Sequence, residues 1–186
     1  MQFIENIDRQ LFLFLNSLHN PFWDKLMFTI SQTSTWIPLY IFLILYLVFT
    51  QKKKAILSVL VIAAFVGLAD YSSVHFFKNV FLRYRPCHNL EIQNLIHLVN
   101  NHCGGQYGFI SSHAANVFAL ATLFSFIIKK KIFVIPLLLW ATVVSYSRIY
   151  LGVHYPLDIL GGAIWGMFLA GIAYYLYLKL TTYFFS

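Results

Sequence analysis

Long apolar runs separated by short polar clusters dominate this chain. A helix needs about 20 residues to cross the roughly 30 Å hydrocarbon core of a bilayer, and the runs have about this length. The first run is short, so we expect its helix to begin upstream. The pattern predicts an all-α protein, a polytopic transmembrane bundle of five to six spans. The clear runs cover residues 36–49, 55–82, 111–128, 132–150 and 156–178.

The first 33 residues have a different pattern. Over residues 3–18, apolar positions alternate with charged ones, which predicts an N-terminal amphipathic helix lying in the membrane interface. Residues 22–34 fit either a second interfacial helix or the start of a longer span. The pattern therefore leaves open whether residues 1–33 lie on the membrane or partly span it.

Composition and charge support a membrane protein with one domain over residues 1–186. The chain is 60% hydrophobic and 10% charged, with a mean hydropathy of +0.71, whereas soluble domains carry about 25% charged residues. A net charge of +7 is also typical of nucleic-acid binding. Here, however, the lysines at 52–54, 129–131 and 179 end apolar runs. This positive-inside pattern indicates cytoplasmic ends, and we expect no nucleic-acid partner.

Alternating spans place the lysine-marked ends on one side and three polar motifs on the other, together with the loop at 83–110. From the lysines to the motifs, the helices cover roughly 24 to 36 Å, close to the thickness of the bilayer. The motifs should therefore lie near the outer boundary, where one pocket can hold them all. They are Lys78 to Arg85-Pro86, Ser111-Ser112-His113, and Ser147-Arg148 followed by His154 and Asp158.

The first motif provides cations. Lys78 and Arg85 are seven residues apart, which is two helical turns, so they can share one face of a helix. Pro86 disfavours helix at Arg85, and we expect the span to end there. A single cation near an interface is usually a snorkelling side chain. Two facing the same way, beside Arg83, favour an anion-binding site.

The second motif opens the third span. Ser111 or Ser112 should cap this helix, and a helix N-terminus is also an anion site because its first amide groups lack partners. His113 then lies in the first turn, beside whatever the terminus binds. Asn116, one turn further, either orients His113 or simply packs.

The third motif provides a candidate nucleophile. His154 and Asp158 are four residues apart, so the carboxylate can accept a hydrogen bond from one ring nitrogen. The other nitrogen is then free to attack. The structural alternative is that Asp158 complements the helix dipole and His154 caps the helix. Because the other motifs lie at the same depth, we favour the catalytic interpretation.

Cys87 and Cys103 are the only cysteines, and both lie in the loop at 83–110. The outer side of the membrane permits disulfides, and the spacing matches no common zinc pattern. We favour a disulfide over free thiols or a metal site shared with the loop histidines.

Asp70 is a carboxylate in the middle of the second predicted span. Such residues are rarely without a role. We expect it to pair with His75, Lys78 or a polar group on another span, in a supporting position.

The order and spacing of the motifs resemble one family. The arrangement K-x6-R-P, P-S-G-H, S-R-x5-H-x3-D is the signature of the type 2 phosphatidic acid phosphatase superfamily, and this chain resembles it over residues 78–158. The first and third motifs match fully. In the middle motif, Ile110 and Ser112 replace the proline and the glycine, while Ser111 and His113 remain.

The resemblance implies a lipid phosphatase that needs no metal or other cofactor and works through a phosphohistidine. His154 would be the nucleophile, Asp158 would orient it, and His113 would protonate the leaving oxygen. The implied phosphate-binding residues are Lys78, Arg85, Arg148 and Ser111, with Ser112 as a further candidate. Candidate supporting residues are Arg83, Asp70 and Asn116.

A pocket at the outer boundary suits a lipid phosphate, so the expected partners are this substrate and the bilayer. We favour undecaprenyl diphosphate; the alternatives are lipid A, phosphatidylglycerophosphate and phosphatidic acid. The expected location is a bacterial inner membrane, with the site facing the periplasm or exterior, and the oligomeric state stays open. The non-enzyme alternatives are a small anion transporter or a haem protein with His113 and His154 as axial ligands.

Overall fold

The computed structural model describes residues 2–185, and within this range every regular element is helical. An isolated antiparallel bridge joins Tyr84 to Tyr107 across the long loop. The all-α prediction is therefore confirmed. The seven main helices are α1 (Gln2–Ser17), α2 (Pro21–Ser31), α3 (Ile37–Gln51), α4 (Ala55–Ser72), α5 (Ser112–Ile128), α6 (Lys131–Tyr150) and α7 (Pro156–Phe185).

Within residues 2–185, three helical stretches are long and apolar enough to cross a membrane, and α5 is a shorter apolar helix. The first stretch, Thr33–Phe81, has 49 residues, which as one straight helix would measure about 74 Å. It is broken at Lys52, where φ is +49°, so α3 and α4 fold back on each other. Both helices contribute to one hydrophobic cluster. How many helices cross the membrane stays a prediction.

The pairing of α5 with α7 is the most extensive helix contact in the molecule. A Cβ atom added at Gly162 would lie 2.4 Å from the carbonyl oxygen of Ser111, and one at Gly166 would lie 2.2 Å from that of Ala115. Only glycine therefore allows this approach, as in other close-packed membrane helices. The contact fixes the N-terminus of α5 against the first turns of α7.

The two N-terminal helices are separate elements that pack on the motif side of the bundle. Phe12 of α1 is fully buried in a cluster with Ile149 and Tyr155. Asn16 ties the same helix to α6, because its Nδ2 donates to the carbonyl oxygen of Tyr150 at 2.8 Å. Helix α2 packs against α6. These helices thus line the end of the bundle that carries the three motifs.

One predicted helix end and one predicted helical face were wrong. The last helix does not end near Leu178, because its apolar pattern resumes after Lys179 and the helix continues to Phe185. The second span ends at Phe81, before Arg85, after a π-helical segment Ser73–Lys78. Leu82 is left-handed, with φ of +50°. Arg85 is consequently in extended backbone, and it does not share a helical face with Lys78.

Candidate active site

His154 and Asp158 form a buried pair at the junction of α6 and α7. Their exposed fractions are 1% and 0%, and His154 Nδ1 lies 3.3 Å from Asp158 Oδ2. Because a carboxylate only accepts hydrogen bonds, Nδ1 carries the proton in the neutral ring. The other nitrogen, Nε2, then has a free lone pair.

A chain of charged groups holds Asp158. Arg83 Nη1 donates to Asp158 Oδ1 at 2.8 Å, and Nη2 donates to Asp8 Oδ2 at 2.6 Å. Asp8 Oδ1 also accepts a hydrogen bond from the backbone N–H of Leu157 at 2.9 Å. The guanidinium lies over the Tyr155 ring, 4.3 Å from its centroid. Arg83 thus contacts Asp158 directly, and Asp8 joins α1 to the first turn of α7.

The pKa of His154 is well below its ordinary value of 6.5. Burial is the largest cause, because it disfavours the charged ring. The positive charges around the ring add to this effect, and a neutral imidazole is the form that can act as a nucleophile. In decreasing order of influence, these charges belong to Arg85, Arg148, Lys78 and Arg83. The cations of the first and third motifs are therefore close enough to His154 to act on the charge of its ring.

Lys78 and Arg85 make hydrogen bonds only to neutral groups, as far as residues 2–185 show. Lys78 Nζ donates to Ser112 Oγ at 2.6 Å. Arg85 Nε donates to the carbonyl oxygen of Tyr107 at 3.3 Å, and Nη1 donates to that of Cys103 at 3.4 Å. A lysine has three donors and an arginine five. Both side chains thus keep N–H groups available for an anion.

The middle motif forms the N-terminus of α5. Ser111 is the N-cap, with its hydroxyl accepting from a first-turn amide at 3.5 Å. Its own N–H donates to the carbonyl oxygen of Asp158 at 2.9 Å. Ser112 Oγ, which replaces the family glycine, lies 2.5 Å from Ser73 Oγ. Ser112 is therefore held by Ser73 and Lys78, the first and last residues of the π-helical segment.

Two cavities meet at His113. The smaller, of about 220 Å³, is also lined by Arg148 and His102, and the larger, of about 520 Å³, runs between α3, α4 and α5. Arg148 Nη1 donates to Ser31 Oγ. Its buried Nε has no hydrogen-bond partner within residues 2–185. Arg148 and the half-buried His113 therefore line the smaller cavity together.

Gly108 passes close to the buried pair and was missed by sequence reasoning. A Cβ atom at this position would lie 3.0 Å from Asp158 Oδ2 and 3.1 Å from Arg85 Cγ. A side chain here would require the carboxylate and the arginine to shift by a few tenths of an ångström. The glycine lets the end of the long loop cover the site.

Cys87 and Cys103 are joined by a disulfide in the structure. His88 lies close to both sulfur atoms. A metal site would need free thiolates, which a bonded pair does not supply. The bond links the segment after Arg85 to the segment that leads to Gly108.

Asp70 and Asn116 contact each other across α4 and α5. Asn116 Nδ2 donates to Asp70 Oδ1 at 3.1 Å, so the carboxylate pairs with a polar group on another span. Asn116 does not hydrogen-bond to His113 in the portion of the chain that the structure describes. Its suggested role in orienting that histidine is therefore not supported by a direct contact.

Comparisons with known proteins agree with this arrangement. The family model described as PAP2 superfamily matches residues 55–182. The lipid A 4'-phosphatase of Bacteroides thetaiotaomicron is 39% identical over 97% of this chain and 81% of its own length. The lipid A 4'-phosphatase of Porphyromonas gingivalis is 34% identical over 96% of this chain and 76% of its own length. The putative undecaprenyl-diphosphatase YbjG of Escherichia coli is 26% identical over 88% of this chain and 79% of its own length.

Two crystal structures are similar to the fold. A PAP2-type phosphatidylglycerolphosphate phosphatase from Bacillus subtilis has a TM-score of 0.72 and 21% identity, over 96% of this chain and 88% of that one. Aquifex aeolicus LpxE has a TM-score of 0.64 and 25% identity, over 88% of this chain and 92% of that one. At 21% identity, the first comparison concerns the fold alone.

The chain belongs to the PAP2 superfamily, as its motifs predict. It is a lipid phosphatase, hence a hydrolase, and a bacterial membrane protein. The prediction of an enzyme is confirmed.

Proposed function

We propose that this protein removes a phosphate group from lipid A. The observation that carries the choice of lipid is the similarity, along almost the whole chain, to two lipid A 4'-phosphatases, at 39% and 34% identity. Our first choice from the sequence, undecaprenyl diphosphate, has the weaker support of one relative at 26% identity. It stays the second candidate.

The geometry supports a two-step transfer. His154 Nε2 attacks phosphorus, the bond from phosphorus to the lipid oxygen breaks, and His113 donates a proton to that oxygen. Water then attacks the phosphohistidine, the P–N bond breaks, and His113 takes the proton from the water. Asp158 keeps the proton of His154 on Nδ1 throughout, because its Oδ2 accepts that hydrogen bond.

The cations of the site stabilise the negative charge of the phosphoryl group. Phosphoryl transfer depends mainly on positioning and on neutralising the charge of the phosphoryl oxygens. The charges of Lys78, Arg85 and Arg148 all act on His154, and the N-terminus of α5 at Ser111 and Ser112 adds backbone and hydroxyl donors. We therefore expect turnover without a metal ion.

The test is phosphate release by purified protein in EDTA from a panel of lipids. The panel contains lipid A, undecaprenyl diphosphate, phosphatidylglycerophosphate and phosphatidic acid. The proposal predicts that kcat/KM is highest for lipid A and that EDTA has no effect. A preference for undecaprenyl diphosphate would replace the substrate assignment, and complete loss of activity in EDTA would contradict the metal-free reaction.

We also propose that the site faces the periplasm of the inner membrane. The lysine clusters at 52–54 and 129–131 lie at helix ends opposite the motifs, and cytoplasmic ends are enriched in lysine. With both native cysteines replaced by serine, Leu90→Cys should react with a membrane-impermeant maleimide in spheroplasts, whereas Lys53→Cys should not. The reverse labelling would contradict this orientation.

A further inference from the structure

The larger cavity has the shape and lining of a hydrocarbon site. Apart from a few polar groups near His113, its walls are apolar side chains of α3, α4 and α5, with Val144 from α6. From Asp70 to Val59 it follows about 16 Å of helix α4. An extended hydrocarbon chain advances about 1.25 Å per bond, given C–C bonds of about 1.52 Å and tetrahedral angles. The cavity can therefore hold roughly a dozen methylene groups of a lipid whose phosphate lies beside His113.

Asp70 places a carboxylate in the wall of this cavity. Asp70 is exposed and lines the cavity. Its Oδ1 accepts one hydrogen bond, from Asn116, and Oδ2 has no protein partner in the range 2–185. A polar group against hydrocarbon is costly unless it is hydrogen-bonded. A wholly apolar tail would leave Oδ2 without a hydrogen bond, whereas a tail that carries a donor would provide one.

The position of Asp70 relates the subsite to the phosphate. Its partner Asn116 comes three residues after His113 on α5, which is about 4.5 Å deeper along the helix. Lys78, the nearest cation on the same helical stretch, donates to Ser112 rather than to Asp70. The carboxylate therefore faces the part of the lipid only a few bonds from the phosphate ester.

We propose that Asp70, held by Asn116, is a specificity subsite for a hydrogen-bond donor on the lipid close to its phosphate, either a hydroxyl group on the acyl chain or an amide N–H that links the chain. This inference rests on the proposed function in one respect, that the lipid phosphate binds at His113. It adds a criterion by which the enzyme selects among lipid phosphates of similar charge and length.

The experiment uses three synthetic lipid phosphates with one headgroup and one chain length: a plain ester, a β-hydroxy ester and an amide. Binding to the His154→Ala protein is measured by competition in native mass spectrometry, so that no lipid is consumed. We expect one or both donor-bearing lipids to bind at least about tenfold more tightly than the plain ester. In His154→Ala with Asp70→Leu, this preference should fall to about twofold or less.

Two further variants control the result. Asp70→Asn keeps the side-chain shape, and it should still reduce the preference because a neutral amide accepts a weaker hydrogen bond than a carboxylate. His75→Gln changes a neighbouring exposed residue that bonds to the Tyr71 carbonyl, and it should keep the full preference. Equal binding of all three lipids, or a preference that survives both Asp70 changes, would overturn the subsite.

Phosphate release by the wild-type protein is measured on the same lipids. A donor preference in binding without release from any lipid would contradict the proposed function and leave the subsite supported. Phosphate release from the three lipids without any donor preference in binding would support the proposed function and contradict the subsite.

Discussion

Asp158 is surrounded by donors from three directions. Its two oxygens accept hydrogen bonds from the side chain of Arg83, the backbone N–H of Tyr155 and the ring of His154. A buried carboxylate with so many partners has a fixed orientation. The His154 ring is thereby fixed as well, in the tautomer that leaves Nε2 free.

Replacing Asp158 with asparagine should lower kcat roughly 10²- to 10⁴-fold with little change in KM, because the amide no longer holds the nucleophile in the correct tautomer. Initial rates on lipid A in detergent micelles give both constants. Asp24→Asn is the matched control: this carboxylate accepts from the Tyr150 hydroxyl at 2.7 Å, away from His154, and the variant should stay active. A higher KM with normal kcat would instead indicate a binding role.

The low pKa of His154 also predicts how stability depends on pH. Its pKa in the folded protein lies below the ordinary 6.5, so the unfolded chain binds more protons once the pH drops below that value. The stability that His154 provides is present above pH 6.5 and is lost as pH falls, at up to about 1.4 kcal/mol per unit. Thermal unfolding of wild type and His154→Gln between pH 7.5 and 5 tests this.

In that comparison, the wild type should lose more stability than His154→Gln as the medium is acidified. His75→Gln serves as the control and should follow the wild type. Parallel curves for wild type and His154→Gln would show that His154 does not have a lowered pKa.

At the scale of the helices, α1 is part of the site. Its buried face carries Asp8, Phe12 and Asn16, with exposed fractions of 3%, 0% and 2%. The four-residue spacing of Asp8, Phe12 and Asn16 is visible in the sequence. Two polar residues on the same helical face as a phenylalanine could have indicated a polar partner for that face. The sequence analysis predicted only an amphipathic interfacial helix over residues 3–18, with no role for Asp8 in the site.

Asp8→Asn should weaken the docking of α1. Removing one partner of a buried ion pair typically costs about 3 kcal/mol or more, and Arg83 would lose one of its two carboxylates. We expect a lower melting temperature in detergent together with a lower kcat. Glu5→Gln, an exposed change on the same helix, should alter neither; an Asp8→Asn protein as stable and active as wild type would contradict this role.

The contact of α5 with α7 gives a second test at this scale. Gly166→Ala should destabilise the protein by about 1 to 3 kcal/mol, because the new methyl group would meet the Ala115 carbonyl and push the helices apart. Gly171 lies on the same helix with nothing within 4 Å of an added Cβ. Gly171→Ala should therefore be neutral or stabilising. Equal melting temperatures for the two variants would argue against this contact.

For the molecule as a whole, periodicity and charge predicted most of the bundle. The limits of α5 and α6 agree with the structure to within about one residue, because apolar runs bounded by lysines and serine caps leave few alternatives. Contacts between distant segments were not predictable in this way. Asp8, Gly108 and Ser31 reach the site only through tertiary packing, which no local pattern encodes.

The two cavities also explain why the lipid was hard to choose from the sequence. In the proposed reaction the motif residues act on phosphate, a group that all the candidate lipids share. We propose that selection among lipids depends instead on walls formed by α3, α4 and α5, where the residues are mostly apolar and Asp70, His113 and Asn116 are the main polar groups. The relatives that match almost the whole of this chain, rather than the motifs, provide the preference for lipid A.

The central claim is that His154 carries the phosphoryl group. The most direct test is to mix the protein with lipid A labelled in its phosphate, stop the reaction within one turnover, and map the label by mass spectrometry at alkaline pH. We predict an acid-labile phosphate on His154 that is absent in His154→Ala, which should also release no phosphate. Phosphate release at a near-normal rate by His154→Ala, or a label on another residue, would contradict the account.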